Sequence, residues 1–341
     1  MSFYKLLPSL LFAFVLIGFV SCGEEDPFIP EEEEEEMGLT CGSEIYGVDL
    51  FTDVSVSTHK YGNSVTVLGF PADLFMDVYE PVGDTSTSRP VIAWAFGGSF
   101  LGGDKGQMEN FARAYAQKGF VCVAVDYRLL SIANGIPDSV AALDIAVKAS
   151  HDIKAAVRHL RRDAATDNLF NIDPDNIFLG GLSAGGIAAM QAAAFTEEDL
   201  TEAAPFIVDI INNNGGVEGL SGDEENLSYS SAVAGVISLS GAIYNLDFID
   251  AGDPPIISFH GNDDDVVPYN FGFANVLGIP LVSLNGSGVV HPHCESIGLK
   301  NELYTIEGGD HVFIYTEDEF QADRDVFEDN AAMFLADIIC K

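Results

Sequence analysis

Positive charge is what this 341-residue sequence has least of: 15 Lys and Arg stand against 53 Asp and Glu, a formal net charge of −38. No basic cluster offsets that excess, so binding driven by nucleic-acid phosphate is excluded. Long apolar runs are nearly absent as well. One exists, Leu6–Val20, which excludes a multi-span membrane protein. Tryptophan occurs once, and after residue 40 neither a repeat nor a Gly/Ser-rich or Pro-rich linker divides the chain. Neither a phosphate loop nor a dinucleotide fingerprint is present. Apolar residues, by contrast, make up 48% of the chain, with 24 Phe among them. That is ample for a packed core and excludes disorder for the bulk of the sequence.

The N-terminus is organised differently from the rest. Lys5 precedes the apolar run, and Ser21-Cys22 follows it. A basic start, a short apolar stretch and a small residue at the cut make an export signal. Val20-Ser21-Cys22 resembles a bacterial lipobox, with Phe19 departing from its usual aliphatic residue. The resemblance implies a signal peptide over residues 1–22 and lipidation of Cys22. Gly23-Glu24-Glu25-Asp26, two prolines and Glu31–Glu36 come next. Repelling charges and helix-breaking prolines make residues 23–37 an extended tether able to reach roughly 50 Å. Acidic residues directly after the cysteine resemble the surface-export signal of Bacteroidetes lipoproteins. The expectation is an exported chain on the bacterial outer membrane, attached through its lipid. The remaining body, residues 38–341, is still acidic, which fits a solvated surface.

Within that body, short β-rich runs alternate with helical patterns. Leu74–Tyr79, Val91–Ala95, Val121–Asp126, Ile177–Leu179, Val233–Leu239, Ile256–His260 and Glu302–Ile306 read as strands. Gln107–Lys118, Ser139–Arg162, Ala184–Ala194, Asn270–Leu277 and Arg324–Ile339 read as helices. This alternation predicts one α/β domain with a mostly parallel sheet covered on both faces. Residues 197–231 break the alternation and are either a small lid or a solvated excursion.

Gly181-Leu182-Ser183-Ala184-Gly185 is a G-x-S-x-G pentapeptide. Alone it is a weak signal, but a strand (Ile177–Leu179) leads into it and a helical pattern leaves it. So tight a strand-to-helix turn pushes a serine hydroxyl out beside a helix N-terminus, whose dipole favours an oxyanion. Asn171-Ile172-Asp173-Pro174-Asp175-Asn176-Ile177 before the turn, and Val125-Asp126-Tyr127-Arg128-Leu129 earlier, carry a wider likeness. Over residues 70–340 the body resembles an α/β-hydrolase of the carboxylesterase and hormone-sensitive-lipase-like branches.

The resemblance implies a serine esterase with Ser183 as nucleophile, needing no cofactor and no metal. In that fold the acid and base follow the serine in the order Asp, then His. Gly308-Gly309-Asp310-His311, after the last strand, matches the position of the family's base, His311. His260-Gly261-Asn262-Asp263-Asp264-Asp265-Val266-Val267-Pro268 matches the stretch carrying the acid, with the Asp four residues before Pro. This selects Asp264, with Asp263 and Asp265 as alternatives, and leaves His260 a structural role. Trp94-Ala95-Phe96-Gly97-Gly98-Ser99-Phe100 occupies the place of the family's His-Gly-Gly-Gly loop, with Phe96 and Ser99 as departures. The oxyanion donors by position are the amides of Gly98, Ser99 and Ala184. His291-Pro292-His293-Cys294, in an expected loop, lacks the second ligand cluster that a zinc site needs.

Cys122 lies in a buried strand pattern and reads as a free thiol, whereas any pair among Cys41, Cys294 and Cys340 is open to bridging. The expected activity is hydrolysis of short- to medium-chain acyl or acetyl esters, on a small molecule or a polymer. A serine peptidase of the same fold and a non-catalytic binding protein are the alternatives. Oligomeric state is not legible.

Overall fold

Strands β1 (Val54–Val65), β2 (Pro71–Pro81), β3 (Arg89–Ala95) and β4 (Val121–Val125) begin the body, with helix α1 (Glu109–Gln117) between the last two. Every residue of β3 and β4 is buried, as their unbroken apolar runs require of strands covered on both faces. The computed structural model describes residues 46–130 and 137–341. The expected signal peptide, the expected lipidation site Cys22, the expected tether at 23–37 and Cys41 therefore lie outside the described residues.

The chain continues through α2 (Ser139–Ala165), β5 (Ile172–Leu182), α3 (Ala184–Ala194), α4 (Pro205–Asn213), β6 (Val236–Leu239) and β7 (Ala242–Ile243). After β8 (Ile256–Gly261) come β9 (Phe271–Val276), β10 (Ile279–Gly286), α5 (Ser287–Ile297), β11 (Asn301–Ile306), α6 (Phe313–Thr316) and α7 (Gln321–Ile339). Among the described residues the main sheet runs β1-β2-β4-β3-β5-β6-β8-β11. Pairing is antiparallel at the β1–β2 and β2–β4 steps and parallel from β4 to β11.

Two close approaches set the layers. Trp94 on β3 stacks on Phe111 and packs at a tilt against Tyr115, both of α1. Its ring lies flat across β5 because Gly180 there has no Cβ, and one would overlap the indole. On α3, Ser150 of α2 donates its hydroxyl to the Ala188 carbonyl at 3.1 Å. α2 is started by Asp138, whose side chain accepts from the Ala141 amide.

The 197–231 segment divides in two. Its first part forms α4. Its second part is fastened to α2 by buried cations: Lys154 donates to the Val217 carbonyl at 3.1 Å and Arg158 to the Ser221 carbonyl at 2.9 Å. Buried polar residues on α2 therefore mark where this segment covers the helix.

Two expectations fail. Asn270–Leu277 is not a helix; Phe271–Val276 is a strand, hairpinned onto β10 and paired through it with β7. Its two-residue turn is Leu277-Gly278, both with positive φ (54° and 78°), as a type I′ turn demands. A leucine in that conformation hides the hairpin from the sequence. Likewise His291-Pro292-His293-Cys294 is not in a loop but in α5, which tolerates Pro292 and stops at Gly298 with φ 77°. Cys122 and Cys294 are buried free thiols, whereas Cys340 is disulfide-bonded.

Candidate active site

Ser183 is the single residue between β5 and α3. It has φ 54° and ψ −117°, a conformation costing on the order of 1–3 kcal/mol for a residue with a Cβ. The surroundings hold it there. Its amide donates to the Leu239 carbonyl at 2.8 Å, and its carbonyl accepts from Ile187 at 2.9 Å. A Cβ at Gly181 would overlap the Gly185 carbonyl, and one at Gly185 would overlap that of Ala95. The motif glycines are thus needed for backbone to pass backbone at this turn.

His311 arrives on the turn after β11, and Asp264 on the turn after β8. These turns lie against each other through Gly261, where a Cβ would overlap the Gly309 carbonyl. The Asp263 amide donates to the Gly309 carbonyl at 3.0 Å, and the Gly308 amide to Asn262 Oδ1 at 2.8 Å. His311 Nδ1 lies 2.6 Å from Asp264 Oδ2, and His311 Nε2 lies 2.8 Å from Ser183 Oγ. A carboxylate only accepts, so Nδ1 carries the hydrogen and Nε2 is left to receive the serine proton. Asp310, next to the base, instead accepts from the Val312 and Phe313 amides at 2.9 and 2.6 Å.

Among the three consecutive aspartates, Asp263 and Asp265 are exposed while the Asp264 carboxylate is fully buried. Its Oδ1 accepts from the Val266 and Val267 amides at 2.9 and 2.8 Å. Burial alone pushes this carboxyl up, but the hydrogen bonds from His260 and His311 outweigh it and bring it down to about 2.

The loop after β3 faces the serine. A Cβ on Gly97 would sit 3.3 Å from Ser183 Cβ. Gly98, Ser99 and Phe100 all have positive φ, at 123°, 56° and 59°. Tyr127, from the Tyr-Arg-Leu triplet, holds this loop: its hydroxyl donates to the Phe96 carbonyl at 2.6 Å and its ring stacks on Phe96 at 4.1 Å. The amides of Gly98, Ser99 and Ala184 are not engaged by any described residue. They remain available to an oxyanion beside Ser183, as preorganised donors must.

Ser183, Ser99 and Ala184 line a cleft of about 1020 Å³ including its open mouth. Phe100, Leu143, Val147 and Ile187 form one wall with Ile207 and Ile211 of α4. Val276, Leu281 and Val282 of the β9–β10 hairpin form another. No charged side chain lines it among the described residues. Sequence reasoning missed the hairpin wall altogether, and left the segment holding α4 undecided between a lid and a solvated excursion. The metal-like cluster on α5 is otherwise employed. His291 bonds Asn301 and Ser258, each at 2.8 Å, and His293 donates to the Ile249 carbonyl at 3.0 Å.

An open parallel sheet with a serine on the strand-to-helix elbow, facing a histidine and a buried aspartate from later turns, defines an α/β-hydrolase. The BD-FAE family model matches residues 76–273, more than half of the chain, and the chain belongs to that family. Esterase 2 of Thermogutta terrifontis phosphorylated by paraoxon superposes with a TM-score of 0.59 at 22% identity, covering 84% of this chain and 95% of that one. Its butyrate-bound form gives the same score at 21% identity and the same coverage. A probable isoprenylcysteine alpha-carbonyl methylesterase, ICMEL1 of Arabidopsis thaliana, is 24% identical over 306 residues, 77% of this chain. The chain spans about half (53%) of that relative's length.

Proposed function

We propose that this chain is a serine carboxylic-ester hydrolase working through an acyl-enzyme. The observation that carries the reading is the relay from Asp264 through His311 to Ser183, at 2.6 and 2.8 Å. Ser183 Oγ attacks the ester carbonyl while its proton passes to His311 Nε2. Asp264 holds the ring and stabilises the imidazolium that forms. The oxyanion is received by the amides of Ala184, Ser99 and Gly98. On collapse the alkoxide leaves, taking the proton from Nε2, and a water deprotonated by the same nitrogen frees the acid.

The substrate follows from the cleft. Its walls carry no charge, so the group entering it is neutral and apolar, an acetyl or a short- to medium-chain acyl. The butyrate- and propionate-bound esterase 2 structures are in keeping with this. The reading extends to location: Lys5, the run Leu6–Val20 and Cys22 favour export and lipid attachment to the bacterial outer membrane, with 23–37 as the tether.

The test is hydrolysis of p-nitrophenyl esters from acetate to palmitate by residues 37–341, beside Ser183→Ala. Turnover of the shorter esters, lost in the variant, is expected. Cleavage of a peptidyl anilide with every ester untouched would replace this reading by a peptidase, and inertness towards both would leave a binding protein. For the anchor, mass spectrometry of the membrane-extracted chain should find a diacylated Cys22, absent in Cys22→Ala.

A further inference from the structure

His260, the fifth residue of β8, is fully buried. Its Nε2 lies 3.2 Å from Asp264 Oδ2 and 3.2 Å from the Val267 carbonyl. Both partners only accept, so Nε2 must carry a hydrogen and share it between them. On the other side of the ring, Nδ1 lies 2.9 Å from the hydroxyl of Ser287, the first residue of α5 and itself 2% exposed. The Tyr269 ring stands edge-on to the imidazole at 5.4 Å, and its own hydroxyl is tied to Thr305 at 2.6 Å. The ring therefore cannot turn without breaking contacts on three sides.

For Asp264 this completes the set of partners. Two backbone amides hold Oδ1, and two imidazoles from different strand ends meet at Oδ2. Without His260, Oδ2 would keep one donor and a buried, unsatisfied lone pair, and the carboxylate would be free to pivot about its bond to Oδ1's side. A buried lone pair left without a donor is costly, so the aspartate would shift toward whatever donor it can find. The relay depends on Oδ2 staying where His311 Nδ1 meets it.

We propose that His260 is a positioning residue for Asp264, and that Ser287 keeps its hydrogen on Nε2. The proposal rests on the reading of Ser183, His311 and Asp264 as the catalytic relay. His260 touches neither substrate nor the reacting atoms; it acts through Asp264. Its contribution belongs to the chemical step and not to substrate binding, because the cleft does not include it.

The experiment uses the full chain and p-nitrophenyl acetate, with kcat and KM measured separately beside thermal unfolding. In His260→Phe, which fills the space but donates nothing, kcat is expected to fall about 30-fold with KM within twofold, as loss of a charge-assisted hydrogen bond predicts. In His260→Gln, whose amide nitrogen takes the place of Nε2, kcat is expected within about fivefold of the wild type. A packing role alone would not give this rescue. Ser287→Ala supplies a test that spares the ring, and a several-fold loss of kcat at unchanged KM is expected there; it decides the matter if His260→Phe does not fold. The proposal is overturned if His260→Phe stays within threefold of the wild type, if His260→Gln is as slow as His260→Phe, or if Ser287→Ala keeps full kcat. A wild-type chain inert to esters, or a Ser183→Ala variant that still turns them over, would overturn the underlying reading instead, before any His260 variant is compared.

Discussion

Replacing Asp264 by asparagine exchanges one acceptor oxygen for an NH2 in a site where all four partners are donors. Two orientations are open to the amide. With its nitrogen toward Val266 and Val267, it opposes two backbone N–H groups that now donate at 2.9 and 2.8 Å. Losing both bonds while leaving the amides buried costs about 1–3 kcal/mol each. With its nitrogen toward His311, the amide donates to Nδ1, and the ring must move its hydrogen to Nε2. That hydrogen then faces Ser183 Oγ across 2.8 Å, and no lone pair is left to accept the serine proton. The second orientation also faces His260 Nε2–H and leaves that hydrogen to the Val267 carbonyl alone, but it keeps both backbone bonds and gives a folded, inactive tautomer. We expect kcat for p-nitrophenyl acetate to fall on the order of ten-thousand-fold with KM little changed.

The same residue links activity to stability. The Asp264 carboxyl is depressed to about 2 from 3.8, worth about 2 kcal/mol to the folded state. A depressed acid contributes in full above its unfolded pKa and loses that contribution as pH falls through the folded one. The gap in unfolding free energy between wild type and Asp264→Asn should therefore be constant above pH 4–5 and shrink toward pH 2. A variant within tenfold of wild-type kcat would refute the tautomer argument, and a gap that widens on acidification would refute the linkage.

Other consequences are open to test. Ala146→Phe should fill the cleft wall, so that kcat/KM for octanoate falls at least about tenfold while that for acetate changes little; equal losses would mean that the cleft does not receive the acyl chain. Tyr127→Phe keeps the stack on Phe96 but removes the 2.6 Å bond to its carbonyl. A stability loss of about 1–2 kcal/mol and a several-fold drop in kcat are expected, and an unchanged kcat would show the loop to be held by other contacts. Glu328 on α7 is pushed up to about 7 by burial first and by Asp325 next. A raised acid destabilises the fold as pH climbs from its unfolded value toward 7, so Glu328→Gln should raise Tm by a few degrees at pH 8 and leave it unchanged at pH 4. An equal effect at both pH values would rule out titration as the cause.

The main sheet was legible because its strands announce themselves. Val91–Ala95 and Val121–Val125 are buried on both faces, and a run without a polar residue has no other stable place in an α/β fold. The nucleophile elbow was legible for a similar reason: Gly181 and Gly185 are where backbone passes backbone, and no other residue fits. Asp264 and His311 were placed by likeness to a family, and the structure brings both to Ser183. Among three adjacent aspartates the family's spacing, four residues before Pro268, singles out Asp264, but neither propensity nor hydropathy tells the buried one from its exposed neighbours. The walls of the cleft were not legible. The β9–β10 hairpin turns on Leu277, a residue whose positive φ no propensity anticipates. Helix α4 lies in an acidic, asparagine-rich stretch, and its Ile207, Ile210 and Ile211 gain meaning only once the cleft beside them is seen. His260 reads as the end of an apolar strand, and its bond to Asp264 depends on the bend of the intervening turn.

Activation of Ser183 by this relay is read most directly by treating the full chain with diethyl p-nitrophenyl phosphate and following it by intact-protein and peptide mass spectrometry. One diethylphosphoryl group per chain is expected, on Ser183, formed with stoichiometric release of p-nitrophenol and absent from Ser183→Ala. An unlabelled wild-type chain, or a label carried by another residue, would contradict that activation.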